Sequence, residues 1–204
     1  MSYSVAGEDI LIRNLFGKNR RQGLYIDIGC NMPIQFSNTF KLYLKGWDGI
    51  CVDGNENLIR KFRKIRKRDI CLQEIVSNEE RDITFYQDNL NPTLSSVDPV
   101  IGKDLYDGST GIKEITTRST TLARIMEKHV GSRKIDLLCV DVENHDLEVL
   151  KGNDFTRFRP EIICVEFHGS MDRLNTSEMH SFLSGAGYDL LALSSPNAYY
   201  RNKS

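Results

Sequence analysis

The fold is decided by residues 24–31, which read LYIDIGCN. The first five of these form a short apolar run, and such near-continuous apolarity indicates a strand that is covered on both faces of a sheet. Gly29 then allows a ligand to approach the backbone closely, and Asn31 tolerates a left-handed turn. We therefore predict a buried strand that ends in a turn facing a ligand.

Similar apolar runs recur along the chain, and helical stretches separate many of them. Strands are predicted at residues 24–28, 49–52, 70–76, 135–142, 162–167 and 188–193. Helices are predicted over residues 37–44, from 55 or 57 to 68, from 119 or 120 to 130, and from 176 or 177 to 184. This alternation predicts an α/β fold with a doubly wound, mostly parallel sheet. Residues 188–200 are predicted to form a hairpin that adds an antiparallel edge to this sheet.

The chain of 204 residues has the length of one domain, and no linker divides it. We expect residues 1–22 to form an N-terminal helical segment and residues 83–86 to form a short extra strand. Residues 87–114 are polar and rich in turn-forming residues, without a clear period. A stretch of that kind within a domain is usually a lid or a loop insertion, and we predict one here.

Composition excludes several classes of protein. The formal net charge is -1 at pH 7 and the pI is near 6.4, so no global positive field attracts nucleic acid. No stretch approaches the roughly 18 apolar residues of a membrane span, and residues 1–9 do not resemble a secretion signal.

The five cysteines lie mostly in apolar runs and form no CxxC pair, which indicates packed thiols in a reducing compartment, the cytoplasm. The basic segment 60–68 is interpreted as a solvated helix face in preference to an anion-binding surface.

Ligands of an open parallel sheet collect beyond the carboxyl ends of its strands, and these ends are polar here. The GxGxxG fingerprint of dinucleotide-binding proteins is missing after the first strand, which argues against a dehydrogenase. Asp53 ends the second strand, where an acid commonly accepts hydrogen bonds from both hydroxyls of a ribose. The alternative is that Asp53 only caps the helix that follows.

The fourth and fifth long strands end in the densest group of ionisable residues in the chain. Residues 141–146 read DVENHD, and residues 166–169 read EFHG. If the fourth strand persists to Glu143, then Asp141 and Glu143 share one face, and His145 turns back toward them. For Glu143 and Asp146 the alternative is a negative first turn of the next helix, which the helix dipole favours. We assign Asp141, His145, Glu166 and His168 to the candidate site.

An ordered set of motifs resembles the FkbM-type family of S-adenosylmethionine-dependent methyltransferases. The matching segments lie at residues 7–9, 27–33, 37–39, 42–43, 46–50, 66 with 69, 141–152, 159–160 and 163–166. The resemblance implies a class I methyltransferase fold, a Rossmann-like sandwich with a seven-stranded sheet. It also implies transfer of a methyl group to a hydroxyl of a sugar or of a polyketide-like metabolite. Asp53-Gly54 stands where the family more often has Glu-Pro, and Asn144 replaces a glycine.

The resemblance also implies roles for individual residues around S-adenosylmethionine. The turn that contains Asp27, Gly29 and Asn31 would face the methionine part of the cofactor. Asp53 would bind the ribose, and Ser77 would lie near the adenine. We also count Asp141, at the end of the fourth strand, among the cofactor-binding candidates. No nucleic acid partner is implied.

Methyl transfer from a sulfonium requires alignment of oxygen, methyl and sulfur, and removal of a proton from the acceptor. The candidates for the base are His145, His168, Asp141 and Glu166. Alternatively, Asp141, Glu166 and His168 hold a divalent metal such as Mg²⁺ that acidifies the hydroxyl. We favour the metal-free version.

The acceptor and the oligomeric state are left open by the sequence. Acceptors of interest are a sugar of a surface polysaccharide, a nucleotide-sugar, a glycolipid and a secondary metabolite. Two other classes of function compete with methyl transfer: a Rossmann-type nucleotide-binding oxidoreductase, and a methyltransferase-like domain that binds ligands without catalysis.

Overall fold

The computed structural model describes residues 1–17, 19–88, 95–98 and 112–203. Ten strands are present in the described ranges: β1 (Leu24–Ile28), β2 (Asp48–Asp53), β3 (Ile70–Gln73), β4 (Ile75–Ser77), β5 (Asp82–Asp88), β6 (Ile112–Thr121), β7 (Leu137–Val140), β8 (Ile162–Glu166), β9 (Tyr188–Ser194) and β10 (Asn197–Asn202). The helices are α1 (Glu8–Leu15), α2 (Phe40–Leu44), α3 (Glu56–Ile65), α4 (Leu122–His129), α5 (Asp146–Lys151), α6 (Met171–Asn175) and α7 (Glu178–Gly185).

Seven of the strands form the main sheet, in the order β3-β2-β1-β7-β8-β10-β9. The first four pairings in this order are parallel, whereas β10 runs antiparallel to both β8 and β9. The carboxyl ends of β1, β2, β7 and β8 therefore meet at one edge. This arrangement confirms the predicted Rossmann-like α/β fold with its antiparallel C-terminal hairpin.

Apolar side chains cover both faces of the main sheet, which explains why its strands are apolar without alternation. Along β1, Tyr25 packs into one core cluster while the neighbouring Ile26 packs into the other. Both residues are fully buried. Burial of such a side chain stabilises the fold by about 1.5 to 3 kcal/mol. All five cysteines are free thiols, and four of them are buried in or beside these strands.

The polar region after β3 differs from the prediction. The run predicted at residues 70–76 breaks at Glu74, and β4 leaves the main sheet to pair with β6 in a separate sheet of order β4-β6-β5. The short strand predicted at residues 83–86 extends over Asp82–Asp88. Residues 87–88 and 112–114 of the predicted lid are also strand, and β5 pairs with β6 through them. The remainder of that prediction falls on residues 89–94 and 99–111, which lie outside the described residues, apart from residues 95–98.

Helix boundaries agree with the prediction at some ends and differ at others. Asn55 caps α3 and Ser177 caps α7 through their side chains, as predicted. The cap of α4 is Thr121, because residues 119 and 120 still belong to β6. Helix α6 has no counterpart among the predicted helices. None of the helices in the described ranges is long and apolar enough to cross a membrane.

Arg66 is the exception to the solvated helix face predicted for segment 60–68, whose other basic residues are exposed. Its side chain is fully buried, at the C-terminal end of α3. The guanidinium donates to the carbonyl of Pro33 at 2.8 Å, to Thr39 Oγ1 at 2.8 Å and to the Ser37 hydroxyl. It also lies 3.6 Å from the buried carboxylate of Asp69. Because a planar guanidinium can satisfy several acceptors at once, Arg66 fixes the segment between β1 and α2.

Candidate active site

A cavity of about 360 Å³ opens at the carboxyl ends of the parallel strands. Its wall includes Ile28 at the end of β1, Asp53 at the end of β2, and Glu166 at the end of β8. The segment that follows β7 and the N-terminal residues Val5 and Glu8 complete much of the remaining wall. This is the place where open parallel sheets bind their ligands.

The turn after β1 brings the backbone into the cavity wall. Gly29 has φ 76° and Asn31 has φ 53°, so both occupy the left-handed region that the sequence suggests. A side chain at Gly29 would place its Cβ 1.7 Å from the carbonyl oxygen of Asp141. Only glycine therefore allows the turn after β1 to pack against the segment after β7.

Asp53 lines the same cavity and is held by two backbone groups. Its Oδ2 accepts the N–H of Asn31 at 3.1 Å, and its Oδ1 accepts the N–H of Asn55 at 2.8 Å. The side chain that caps α3 belongs to Asn55, so Asp53 is not the helix cap. Burial raises the pKa of Asp53 to about 6, against the lowering effect of these hydrogen bonds.

Asp27 lies behind the turn and is not part of the cavity wall. Its buried carboxylate accepts a hydrogen bond of 2.6 Å from Thr39 Oγ1, which in turn accepts from Arg66. Burial raises the pKa of Asp27, while the Thr39 hydrogen bond and the Arg66 charge oppose that rise. Asp27 thus supports the segment between β1 and α2 from the protein interior.

The segment after β7 lines the cavity from a turn, and not from the continued strand that the sequence pattern allowed for. The strand ends at Val140, and Glu143 and Asn144 adopt φ values of 56° and 70°. For a non-glycine residue such as Glu143 this conformation is uncommon and costs free energy. The hydroxyl of Ser96 donates to the Glu143 carbonyl at 2.8 Å and helps to hold the turn. Asp146 begins α5, and its carboxylate accepts the N–H of Val142 at 3.1 Å.

Three carboxylates meet in this part of the cavity: Asp141, Glu143 and Glu166. One oxygen from each lies within 4.8 Å of the other two. Burial, followed by the charge of Glu166, raises the pKa of Asp141 well above its ordinary value and that of Glu143 to about 7. The sequence pattern leaves a helix-dipole role open for Glu143, but the left-handed turn directs this residue into the cavity wall.

His168 lies outside this group. Its ring is largely exposed, and its Nε2 lies 2.8 Å from Glu166 Oε1. Glu166 itself is well buried. Among the described residues, the three carboxylates form the one group with metal-ligand spacing, and His168, which the sequence suggested as a ligand, does not belong to it.

His145 and Ser77 form a separate polar chain beside the cavity. His145 lines the wall, and its Nε2 lies 2.9 Å from Ser77 Oγ. The Ser77 hydroxyl donates to Asn78 Oδ1 at 3.2 Å, and Asn78 Nδ2 donates to Glu148 at 2.6 Å. When the Ser77 hydroxyl donates to Asn78, its Oγ accepts from Nε2–H of the imidazole and Nδ1 carries no proton; when it donates to Nε2, the proton lies on Nδ1. Burial lowers the pKa of His145, so the neutral ring predominates near neutral pH.

Asn197 is a cavity residue that sequence reasoning missed. It is opposite Glu166 in the antiparallel pairing of β10 with β8, and it is only 2% exposed. Its Oδ1 is buried without a hydrogen-bond partner among the described residues. The sequence predicts the hairpin, but the register that places Asn197 beside Glu166 is not readable from the pattern.

Comparison with known families matches the methyltransferase FkbM domain to residues 27–190. The chain belongs to the FkbM methyltransferase family. The FkbM match spans β1 to β9, and therefore includes the turn after β1, the three carboxylates and His145. A comparison with curated proteins found no match. Because the family match covers most of the chain, the protein is a methyltransferase, and its cavity is the candidate active site.

Proposed function

We propose that the protein transfers a methyl group from S-adenosylmethionine to a hydroxyl of a sugar, a glycan or a secondary metabolite. The observation that carries the proposal is the hydrogen-bond chain from Glu148 to His145 in the wall of an acidic cavity. In the tautomer whose Nε2–H bonds to Ser77, Nδ1 is free to accept a proton. A methyl transfer to oxygen needs such a proton acceptor, since the hydroxyl must lose its proton as the new bond forms.

The cavity suits the cofactor by shape and by charge. The left-handed turn at Gly29 and Asn31 offers backbone to the methionine part, and Asp53 offers a carboxylate to the ribose hydroxyls. S-adenosylmethionine carries a sulfonium and an ammonium, and the carboxylates on the wall stabilise positive charge. Asp27 acts indirectly in this arrangement, because its side chain fixes the protein behind the turn.

In the proposed reaction the acceptor oxygen attacks the methyl carbon in line with the sulfur. The carbon–oxygen bond forms as the carbon–sulfur bond breaks, and S-adenosylhomocysteine leaves as a neutral thioether. The hydroxyl proton passes to Nδ1 of His145, whose Nε2–H remains bonded to Ser77. Alignment of the reacting atoms can contribute up to about 7 to 11 kcal/mol, and the base about 10² to 10⁴-fold in rate.

The test compares two histidine variants on a panel of hydroxyl-bearing acceptors. His145→Gln is expected to lower turnover by about 10² to 10⁴-fold and to leave cofactor affinity nearly intact. His168→Gln is the matched control, because that ring is exposed and lies outside the cavity wall. Loss of activity in His168→Gln alone would contradict the assignment.

The same preparation separates the two competing classes of function. Calorimetry with S-adenosylmethionine and with NAD distinguishes a methyltransferase from a nucleotide-dependent oxidoreductase. Cofactor binding without turnover on any acceptor would favour a binding domain. The free thiols support a reducing compartment, and we place the reaction in cytoplasmic glycan or metabolite synthesis.

A further inference from the structure

The three carboxylates of the cavity wall are not needed for the proton transfer assigned to His145. One carboxylate oxygen from each of Asp141, Glu143 and Glu166 lies within 4.8 Å of the other two. Over the described part of the chain, the cavity wall contains no lysine or arginine to neutralise them. Carboxylates at such spacing repel one another unless a cation or a proton separates them.

Asn197 provides a second, independent observation in the same cavity wall. Its side chain is 2% exposed and lines the cavity opposite Glu166, and its Oδ1 has no partner among the described residues. A buried amide oxygen without a partner costs about 1 to 3 kcal/mol. A hydrogen-bond donor or a cation in the cavity would remove that cost.

We propose that Asp141, Glu143, Glu166 and the Oδ1 of Asn197 form the binding site of a hard divalent cation. Carboxylate and amide oxygens are the ligands that Ca²⁺, Mg²⁺ and Mn²⁺ prefer, and the set contains no nitrogen or sulfur that would favour zinc or copper. A cation held there could polarise an acceptor hydroxyl as a Lewis acid.

The spacing of the oxygens bears on the size of the ion. Two ligands of one ion are separated by at most twice the metal–oxygen distance, which is about 4.2 Å for Mg²⁺ and about 5 Å for Ca²⁺. A separation of up to 4.8 Å therefore suits a Ca²⁺-sized ion in the present arrangement. A smaller ion requires the carboxylates to move closer together.

The site is tested by titrating chelator-treated, cofactor-free protein with CaCl₂ and with MgCl₂ in a buffer without amines. Calorimetry on the wild-type protein should show saturable binding near one ion per chain. Glu143→Gln and Glu166→Gln should each weaken the binding at least about tenfold, since each removes one anionic ligand. Asp172→Asn, which neutralises an exposed acid on α6, is the control and should bind like the wild type.

Asn197→Asp gives the sharper test, because it adds a charge to the proposed ligand set. Without a cation, the additional carboxylate should lower the thermal midpoint. With Ca²⁺, the midpoint should rise by more than it does in the wild type, while Asn197→Leu should show a smaller rise than the wild type. If Asn197→Asp does not fold, Glu143→Gln and Asn197→Leu carry the test alone.

Three results would overturn the proposal. The first is that the wild-type protein binds no cation at millimolar concentration. The second is that Glu143→Gln and Asn197→Leu bind the cation as tightly as the wild type. The third is that these variants weaken the binding of S-adenosylmethionine although no cation binds. The last result would assign the carboxylates to an ammonium group. Because the titration uses no cofactor and no acceptor, its failure would leave the methyl-transfer proposal untouched.

Discussion

A carboxylate that accepts hydrogen bonds from ribose hydroxyls does so best in its ionised form. Burial raises the pKa of Asp53 to about 6, so protonation begins only slightly below neutral pH. Affinity for S-adenosylmethionine should therefore fall as the pH drops through 6. Below the pKa, the contribution of Asp53 should decrease by up to about tenfold per pH unit.

Asp53→Asn should remove the part of this pH dependence that Asp53 contributes, leave the part due to Glu143, and weaken cofactor binding by about 1.5 to 3 kcal/mol at pH 7.5. Calorimetry of both proteins between pH 5 and pH 7.5 measures the two effects together. A wild-type affinity that is constant over this range, with an equally constant variant, would remove Asp53 from the cofactor site.

Ser77 allows two interpretations that a single substitution separates. The resemblance implies that it lies near the adenine, whereas its hydroxyl bonds to His145 Nε2 at 2.9 Å. If Ser77 positions the imidazole, Ser77→Ala should lower kcat, shift the pH midpoint of kcat, and leave cofactor affinity within about twofold. A higher dissociation constant for the cofactor with unchanged kcat would favour the adenine contact. The measurements are calorimetry and a pH profile of turnover.

At the scale of elements, the site depends on the close approach of two turns. Gly29→Ala would introduce both a left-handed alanine and a clash with the carbonyl of Asp141. Gly131 offers a matched control, since its φ is 64° and a Cβ at this position would meet no atom of the described residues within 4 Å. Gly131→Ala should cost about 1 to 2 kcal/mol in the free energy of unfolding. Gly29→Ala should cost about 2 to 5 kcal/mol, because overpacking adds to the backbone strain.

Chemical denaturation of the two glycine variants measures the difference. Equal losses of stability would mean that the segment after β7 moves away without cost. In that case the turn after β1 would not depend on its contact with Asp141.

The strands of the main sheet can be predicted from the sequence because burial on both faces leaves an apolar run, as in β1 and β8. Strand β6 is not readable in this way. It is ten residues long, but nearly all of its side chains are partly or fully exposed, so it contains no buried apolar run. The break between β3 and β4 also lacks a clear sequence signal, because a single acid, Glu74, marks it within a stretch that reads as one strand.

The candidate site is readable only in part, for a related reason. Asp141 directly follows β7 and Glu166 ends β8, and parallel strands bring their carboxyl ends together. Glu143 depends on an uncommon backbone conformation, and Asn197 depends on the register of a hairpin. Neither property has a local signal in the amino-acid pattern.

At the scale of the whole molecule, charge is unevenly distributed although the net charge is only -1. The described cavity wall holds several acids and no lysine or arginine. An acceptor that brings a phosphate into the cation-free cavity would meet repulsion, whereas a divalent cation on the three carboxylates would offset that repulsion. In the presence of a chelator we therefore expect neutral sugars or metabolites to be better substrates than phosphorylated ones.

The expectation is tested with acceptor pairs that differ only in a phosphate group. The neutral member should have the higher kcat/KM, and added salt should narrow the difference, because screening weakens repulsion. A preference for the phosphorylated member would contradict the charge argument. It would direct attention to basic residues outside the described ranges.

The position of Asn197 in the cavity wall has a consequence for how the protein is made. Translation runs from the N-terminal side, so the turn after β1 and the carboxylates at the ends of β7 and β8 emerge from the ribosome before β10. The wall stays open until β10 has inserted between β8 and β9. A nascent chain therefore cannot use its own ligands as a template for the early steps of folding, and the active site is completed only when the last hairpin closes.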